Sequence, residues 1–163
     1  MGCDIHSYIE VRRKDWQTGE YSNWEPLVVL EVNSQWSKMP SLMNHYTGRD
    51  YELFGWLTGG AVRCSTPTPI STPRGLPSDI SAEIEREYDA MREDAHSQSY
   101  LTLPELEEAY RKIPKKVKND IGEIEKNHLR KRVRWFIDTI RVFTESCGYY
   151  SDENVRIVFW FDS

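Results

Sequence analysis

Met1-Gly2-Cys3-Asp4-Ile5-His6-Ser7-Tyr8-Ile9-Glu10-Val11-Arg12 opens the chain in strict alternation. Cys3, Ile5, Ser7, Ile9 and Val11 fall on one side of an extended chain. Asp4, His6, Tyr8, Glu10 and Arg12 fall on the other, because successive side chains of a β-strand point to opposite faces. The far end of the chain, Val155-Arg156-Ile157-Val158-Phe159-Trp160-Phe161-Asp162, also reads as a strand, with one apolar and one mixed face. Strands at both ends and helical patterns between them predict an α+β fold. Its antiparallel or mixed sheet holds the N- and C-terminal strands side by side, with helices packed on it.

Working inward, Trp16 to Glu20 reads as a turn and Trp24 to Val32 as a returning strand. Residues 33–49 are polar and irregular. Asp50 can cap a short helix over Tyr51 to Leu57, with Gly59 near its end. Pro67, Pro69, Pro73 and Pro77 exclude regular structure from residues 63–79 and predict an extended loop. Ser78 or Asp79 can cap a helix that runs to about Arg92. Thr102 and Glu105 form a capping-box pattern with Pro104 in the first turn, and that helix continues to about Lys112. Residues 114–126 are charged and read as a surface connection or a frayed helix. Leu129, Val133, Phe136, Ile140 and Phe143 step by four and three residues, which predicts a long amphipathic helix.

The 163 residues are enough for one well-filled core, and a single domain over 1–163 is expected. A formal net charge of −5 argues against duplex DNA as a partner. The basic run His128 to Arg134 reads as a solvated helix face. Cys3, Cys64 and Cys147 are widely spaced and form no CxxC pair, which fits a reducing compartment. No apolar run approaches the length of a membrane span, so a cytoplasmic protein is expected.

Several groups can carry chemistry. Asp4, His6 and Glu10 share one strand face and can serve as an acid–base set or as ligands to a divalent metal; an ordinary polar strand face is the plain alternative. Asp94 to Tyr100 (DAHSQSY) offers His96, hydroxyls including Ser97, and backbone N–H groups that can hold a phosphate, or it is a helix-linking turn. Arg74 sits between Pro73 and Pro77, stiffly held for a bidentate phosphate contact or for tying the loop down. Arg49 and Arg63 flank the short aromatic helix and carry the same two readings. His45 and His128 read as surface residues. No P-loop, GxGxxG, HExxH or GxSxG pattern is present.

MGCDIHSYIE, RDYELFGWL, PRGLPSDIS, DAHSQSYLTLPEL and VRIVFWFDS together resemble a family of small phage and prophage proteins, along the whole chain. The resemblance implies that Cys3, Asp4, His6, Glu10, Arg49, Tyr51, Arg74, Asp79, His96, Ser97 and Asp162 occupy motif positions. The family commonly reads DGHSHSW where this chain has Gln98 and Ala95, so a mechanism that needs the second imidazole does not transfer. Three functions follow as expectations. The first is an anti-defence protein that sequesters a small nucleotide-derived signal without a cofactor, through Asp4, His6, Glu10, Arg49, Tyr51, Arg74, His96 and Ser97. The second is a hydrolase or phosphodiesterase that uses His6 and His96, or a metal on Asp4, His6 and Glu10. The third is an inhibitor that binds a host enzyme. A homodimer is compatible with the first, because paired subunits deepen a pocket.

Overall fold

A computed structural model describes residues 2–32, 38–62, 69–119, 121–146 and 151–162. Strand β1 (Asp4–Val11) pairs along its whole length with β8 (Val155–Asp162), antiparallel, from Asp4 opposite Asp162 to Val11 opposite Val155. The short β2 (Glu25–Pro26) flanks β1, and β5 (His96–Thr102) flanks β8, giving a four-stranded antiparallel sheet in the order β2-β1-β8-β5. The fold is α+β with its terminal strands adjacent, as expected.

Each sheet face has its own cover. Ile5, Ile9, Phe159 and Phe161 join a large core with α1 (Tyr51–Leu57), α3 (Leu103–Lys112) and α4 (His128–Ser146). Tyr8, Val158 and Trp160 face the other way, against Ile84 and Tyr88 of α2 (Ala82–Met91). Burial on both faces explains why β8 reads as a nearly continuous apolar run.

Local signals hold where the chemistry is local. The Asp50 carboxylate accepts from the Leu53 N–H at 3.1 Å, and Thr102 and Glu105 complete the capping box of α3. Other expectations change. Residues 96–102 form β5, the edge strand beside β8, and are not a helix-linking turn, so the N–H groups that face β8 belong to the sheet ladder. Residues 114–126 hold a hairpin, β6 (Lys116–Lys118) and β7 (Ile124–Lys126). Residues 38–42, read as irregular, form β4 (Lys38–Leu42), paired with β3 (Val28–Val32). The cap of α2 is Ser81, two or three residues later than expected. His45 is buried, 6% exposed, under Phe136 of α4. Arg63, Cys64 and Cys147 lie outside the described residues.

Candidate functional site

β1 and β8 bring one cluster of the expected site residues together at the end of the sheet where β1 begins and β8 ends. Arg49 closes on the Asp4 carboxylate in a two-point contact, with its Nη2 2.7 Å from Oδ2. This guanidinium holds the Asp4 carboxyl below its ordinary value. Gly2 lies close against the same guanidinium, which would have to shift to admit a Cβ at that position. The Asp4 N–H donates to Oδ1 of Asp162 at 3.2 Å, and the other oxygen, Oδ2, lies 3.2 Å from Nε2 of His6. The His6 ring stacks on Trp160 at 5.7 Å. A carboxylate and an indole together set the orientation of this imidazole, as a general base requires.

His96 lies across β8 from that cluster. It pairs with Phe161 in the register and stacks on that ring at 6.1 Å, whereas His6 pairs with Trp160. Phe161 and Trp160 are consecutive, so their side chains leave opposite faces of the sheet. The two histidines are therefore separated by the sheet. On its own side His96 has Ser97 Oγ 3.1 Å from Nδ1 and the Cys3 sulfur 4.0 Å from Nε2. Cys3 is only 2% exposed, which denies a substrate the approach that a nucleophilic thiol needs. Ser97 occupies a β-bulge with φ +55°, a left-handed conformation unusual for a residue with a Cβ. The Tyr51 hydroxyl accepts from the Cys3 N–H at 3.4 Å, tying α1 to the start of β1.

Glu10 stands apart from Asp4 and His6. Glu10 is six steps along the strand from Asp4, about 20 Å at the usual rise, so the three cannot surround one ion. Among the described residues no group of three His, Cys, Asp or Glu side chains is placed to hold a metal. Glu10 is fully buried instead and meets its cross-strand neighbour Arg156, with Nε 2.6 Å from Oε2. Its other oxygen accepts from the Ser81 N–H at 2.7 Å. Arg156 also donates to Oδ1 of Asp79 at 2.7 Å and lies over the Trp24 ring, whose Nε1 donates to Oδ2 of Asp79 at 3.0 Å. Burial works against the Asp79 charge, but Arg156 and Trp24 hold its carboxyl below the ordinary range. Arg74 takes the tying role: its Nη2 is 2.8 Å from Oε1 of Glu105, and its N–H donates to Ser99 Oγ at 3.2 Å.

Beside the Glu10 network lies a cleft of about 390 Å³, lined by Arg12, Trp24, Asp79 and the first residues of α2. Arg12 is held between Tyr21 and Trp24, 4.1 and 4.6 Å from the ring centres. Its buried Nε has no hydrogen-bond partner among the described residues, and neither does the Oγ of Ser81, a residue only 6% exposed. Ser81 does not cap its own helix with that hydroxyl. Arg12, Ser81 and the first turn of α2 thus line one space together with Asp79 and Glu83, and the positive end of the helix dipole there favours an oxyanion.

Arg12, Trp24, Ser81 and Arg156 were missed as site residues. Arg12 carried a readable signal, since it continues the Asp4–His6–Glu10 face by one more step. Ser81 was masked by two earlier capping candidates in Pro77-Ser78-Asp79-Ile80-Ser81. No family model matches the chain, and neither a curated protein nor a solved structure matches it.

Proposed function

We propose that the protein binds and sequesters a small, phosphate-bearing, nucleotide-derived molecule, with the phosphate in the cleft at the start of α2. The observation that carries this reading is that Arg12 and Ser81, each with a buried polar atom that lacks a hydrogen-bond partner among the described residues (Nε and Oγ), line the same cleft. A buried donor without a partner costs about 1–3 kcal/mol, and a bound oxyanion recovers that cost. Trp24 does not stack on a base in this reading, because Arg12 and Arg156 both lie over its ring. It holds Arg12 in place. The resemblance to small phage proteins supplies a use for such binding, the removal of a host signal in the host cytosol.

A second reading keeps a specific observation, the His6–Asp162 contact at 3.2 Å. It makes His6 the single acid–base group of a phosphodiesterase. The forms of that reading that need His6 with His96, or a metal on Asp4, His6 and Glu10, lack the necessary proximity.

One experiment separates the readings. The protein is incubated with a panel of cyclic nucleotides and ADP-ribose derivatives, desalted, heated, and the released compounds are chromatographed. Sequestration predicts an intact compound, with retention weakened about tenfold or more by Arg12→Ala, the scale of one charge-assisted contact. A cleaved product that disappears in His6→Ala establishes the hydrolase instead. Retention and cleavage of nothing in the panel overturns both.

A further inference from the structure

The overall charge of −5 hides a strongly uneven distribution. The β6–β7 hairpin, the end of α3 and the first turns of α4 enclose a cleft of about 680 Å³ whose charged lining is entirely basic, with Lys115, Lys116, Lys126 and Lys131 at its mouth. All four are exposed, and none forms an ion pair with a described residue. The floor is Tyr110, with Arg130 stacked on it at 4.1 Å. Arg130 also donates to the Tyr110 and Ile113 carbonyls at 2.9 and 2.6 Å, so it builds the cleft and leaves the lysines to face outward. The first turn of α4 carries no acidic residue, although carboxylates are favoured at such a position.

The basic cleft does not end there. His128 and Lys131 also line an adjoining cleft of about 370 Å³, which reaches Tyr46 and Trp135. Trp135 is 56% exposed, and Tyr46 props it edge-on at a ring distance of 5.7 Å. The bordering carboxylates Asp50, Glu52 and Asp138 are taken by Arg132 and Arg134 and do not oppose an incoming anion. A track of outward lysines that ends on a propped, exposed indole combines the two elements by which proteins hold unpaired strands: cations along the backbone and an aromatic face for a base. A single compact phosphate would occupy only part of the basic cleft and leave Trp135 without a role. Duplex DNA would keep its bases stacked away from the indole.

We infer that this face binds single-stranded nucleic acid, with Lys115, Lys116, Lys126 and Lys131 on consecutive phosphates and Trp135 stacked on a base. The site is separate from the α2 cleft, so the two ideas stand or fall independently.

The test is fluorescence anisotropy of the full chain with a labelled single-stranded oligonucleotide of about a dozen residues, across salt from about 50 to 200 mM. Affinity should fall with a log–log slope near −3, since each of four neutralised phosphates on a single strand contributes about −0.7. Lys126→Glu and Lys131→Glu should each weaken binding at least about tenfold and flatten the slope. Trp135→Ala should weaken it about fivefold or more with the slope unchanged, as loss of one stacked base predicts. All three side chains are exposed, and circular dichroism checks that each variant folds; if a charge reversal unfolds, Trp135→Ala decides. The inference is overturned by absence of binding at the lowest salt, by equal affinity for a duplex of the same length, or by a Trp135→Ala variant that binds as the parent does while tripolyphosphate displaces the strand.

Discussion

Arg156 shows how much a single side chain can be asked to hold. Its guanidinium, 4% exposed, meets the fully buried Glu10, reaches Asp79 through both a carboxylate and a carbonyl, and lies on Trp24. Removing one member of a buried, hydrogen-bonded ion pair leaves the other charge without water or partner, which costs about 3–5 kcal/mol. Glu10→Ala or Arg156→Ala should therefore lower the urea midpoint by that equivalent. Replacing both with Met should cost clearly less than the sum of the two, because no uncompensated charge is left behind. A double variant whose loss equals the sum would show that the pair is not coupled. The cross-strand partnership of Glu10 and Arg156 needs only the register of the terminal strands. Glu10 nevertheless reads in the sequence as one more polar residue on the His6 face, because alternation assigns a face and not the cross-strand partner that meets it there.

At the scale of elements, the two best-read features are helix starts, and both are short-range. The capping box joins Thr102 to Glu105 across three residues, and Glu105 also receives Arg74. Burial opposes the Glu105 charge, but Arg74 and Thr102 hold its carboxyl below the ordinary value. Thr102→Ala should cost about 1 kcal/mol, the usual effect of losing an N-cap. Glu105→Ala should cost more, since it releases both the Thr102 N–H and the proline-flanked loop through Arg74. Thermal or chemical denaturation of the two variants tests that order, and an equal or smaller loss for Glu105→Ala would show that the Arg74 contact contributes nothing to stability. The misread elements share a physical cause. β5 is seven residues rich in Ser, Gln and His, with little apolar alternation, and it is a strand because the edge of β8 is there to pair with it. β6 and β7 are three residues each and charged, and only their mutual hydrogen bonding makes them a hairpin.

For the whole molecule, acid stability turns on a residue that the sequence placed at the surface. His45 is buried between β1 and α4, with Nδ1 3.2 Å from the Ser7 carbonyl oxygen. Burial pushes its pKa from 6.5 down to about 4, against a smaller opposing effect of the Ser7 carbonyl. The folded state therefore keeps His45 neutral where the unfolded chain takes up a proton. Its effect on stability is absent above about pH 6.5, grows as the pH falls, and levels off below about pH 4. A shift of this size corresponds to about 3 kcal/mol in all. Urea midpoints between pH 7 and pH 4 should fall accordingly, and His45→Gln should flatten that part of the profile. An unchanged pH profile in the variant would assign the acid sensitivity elsewhere. Among the described residues no helix is long and apolar enough to cross a membrane.

Alternation in the first segment and the apolar run of the last were enough to read two strands and an α+β class, because both patterns are local to their segments. That both faces of these strands are buried was decided by what packs on them. The caps of α1 and α3 and the long amphipathic helix were legible in the same way, through contacts within four residues, whereas the cap of α2 was not. Asp4, His6 and Arg49 were read as candidate site residues, but not their grouping with Asp162 at one end of the sheet. Only the tertiary structure decided that His6 and His96 stand on opposite faces, that Glu10 is locked to Arg156, and that Arg12 and Ser81 share a cleft. Each of those facts depends on which distant segments pair and in what register. Pairing of that kind is set by the packing of the whole core and leaves no periodic trace in the segment itself.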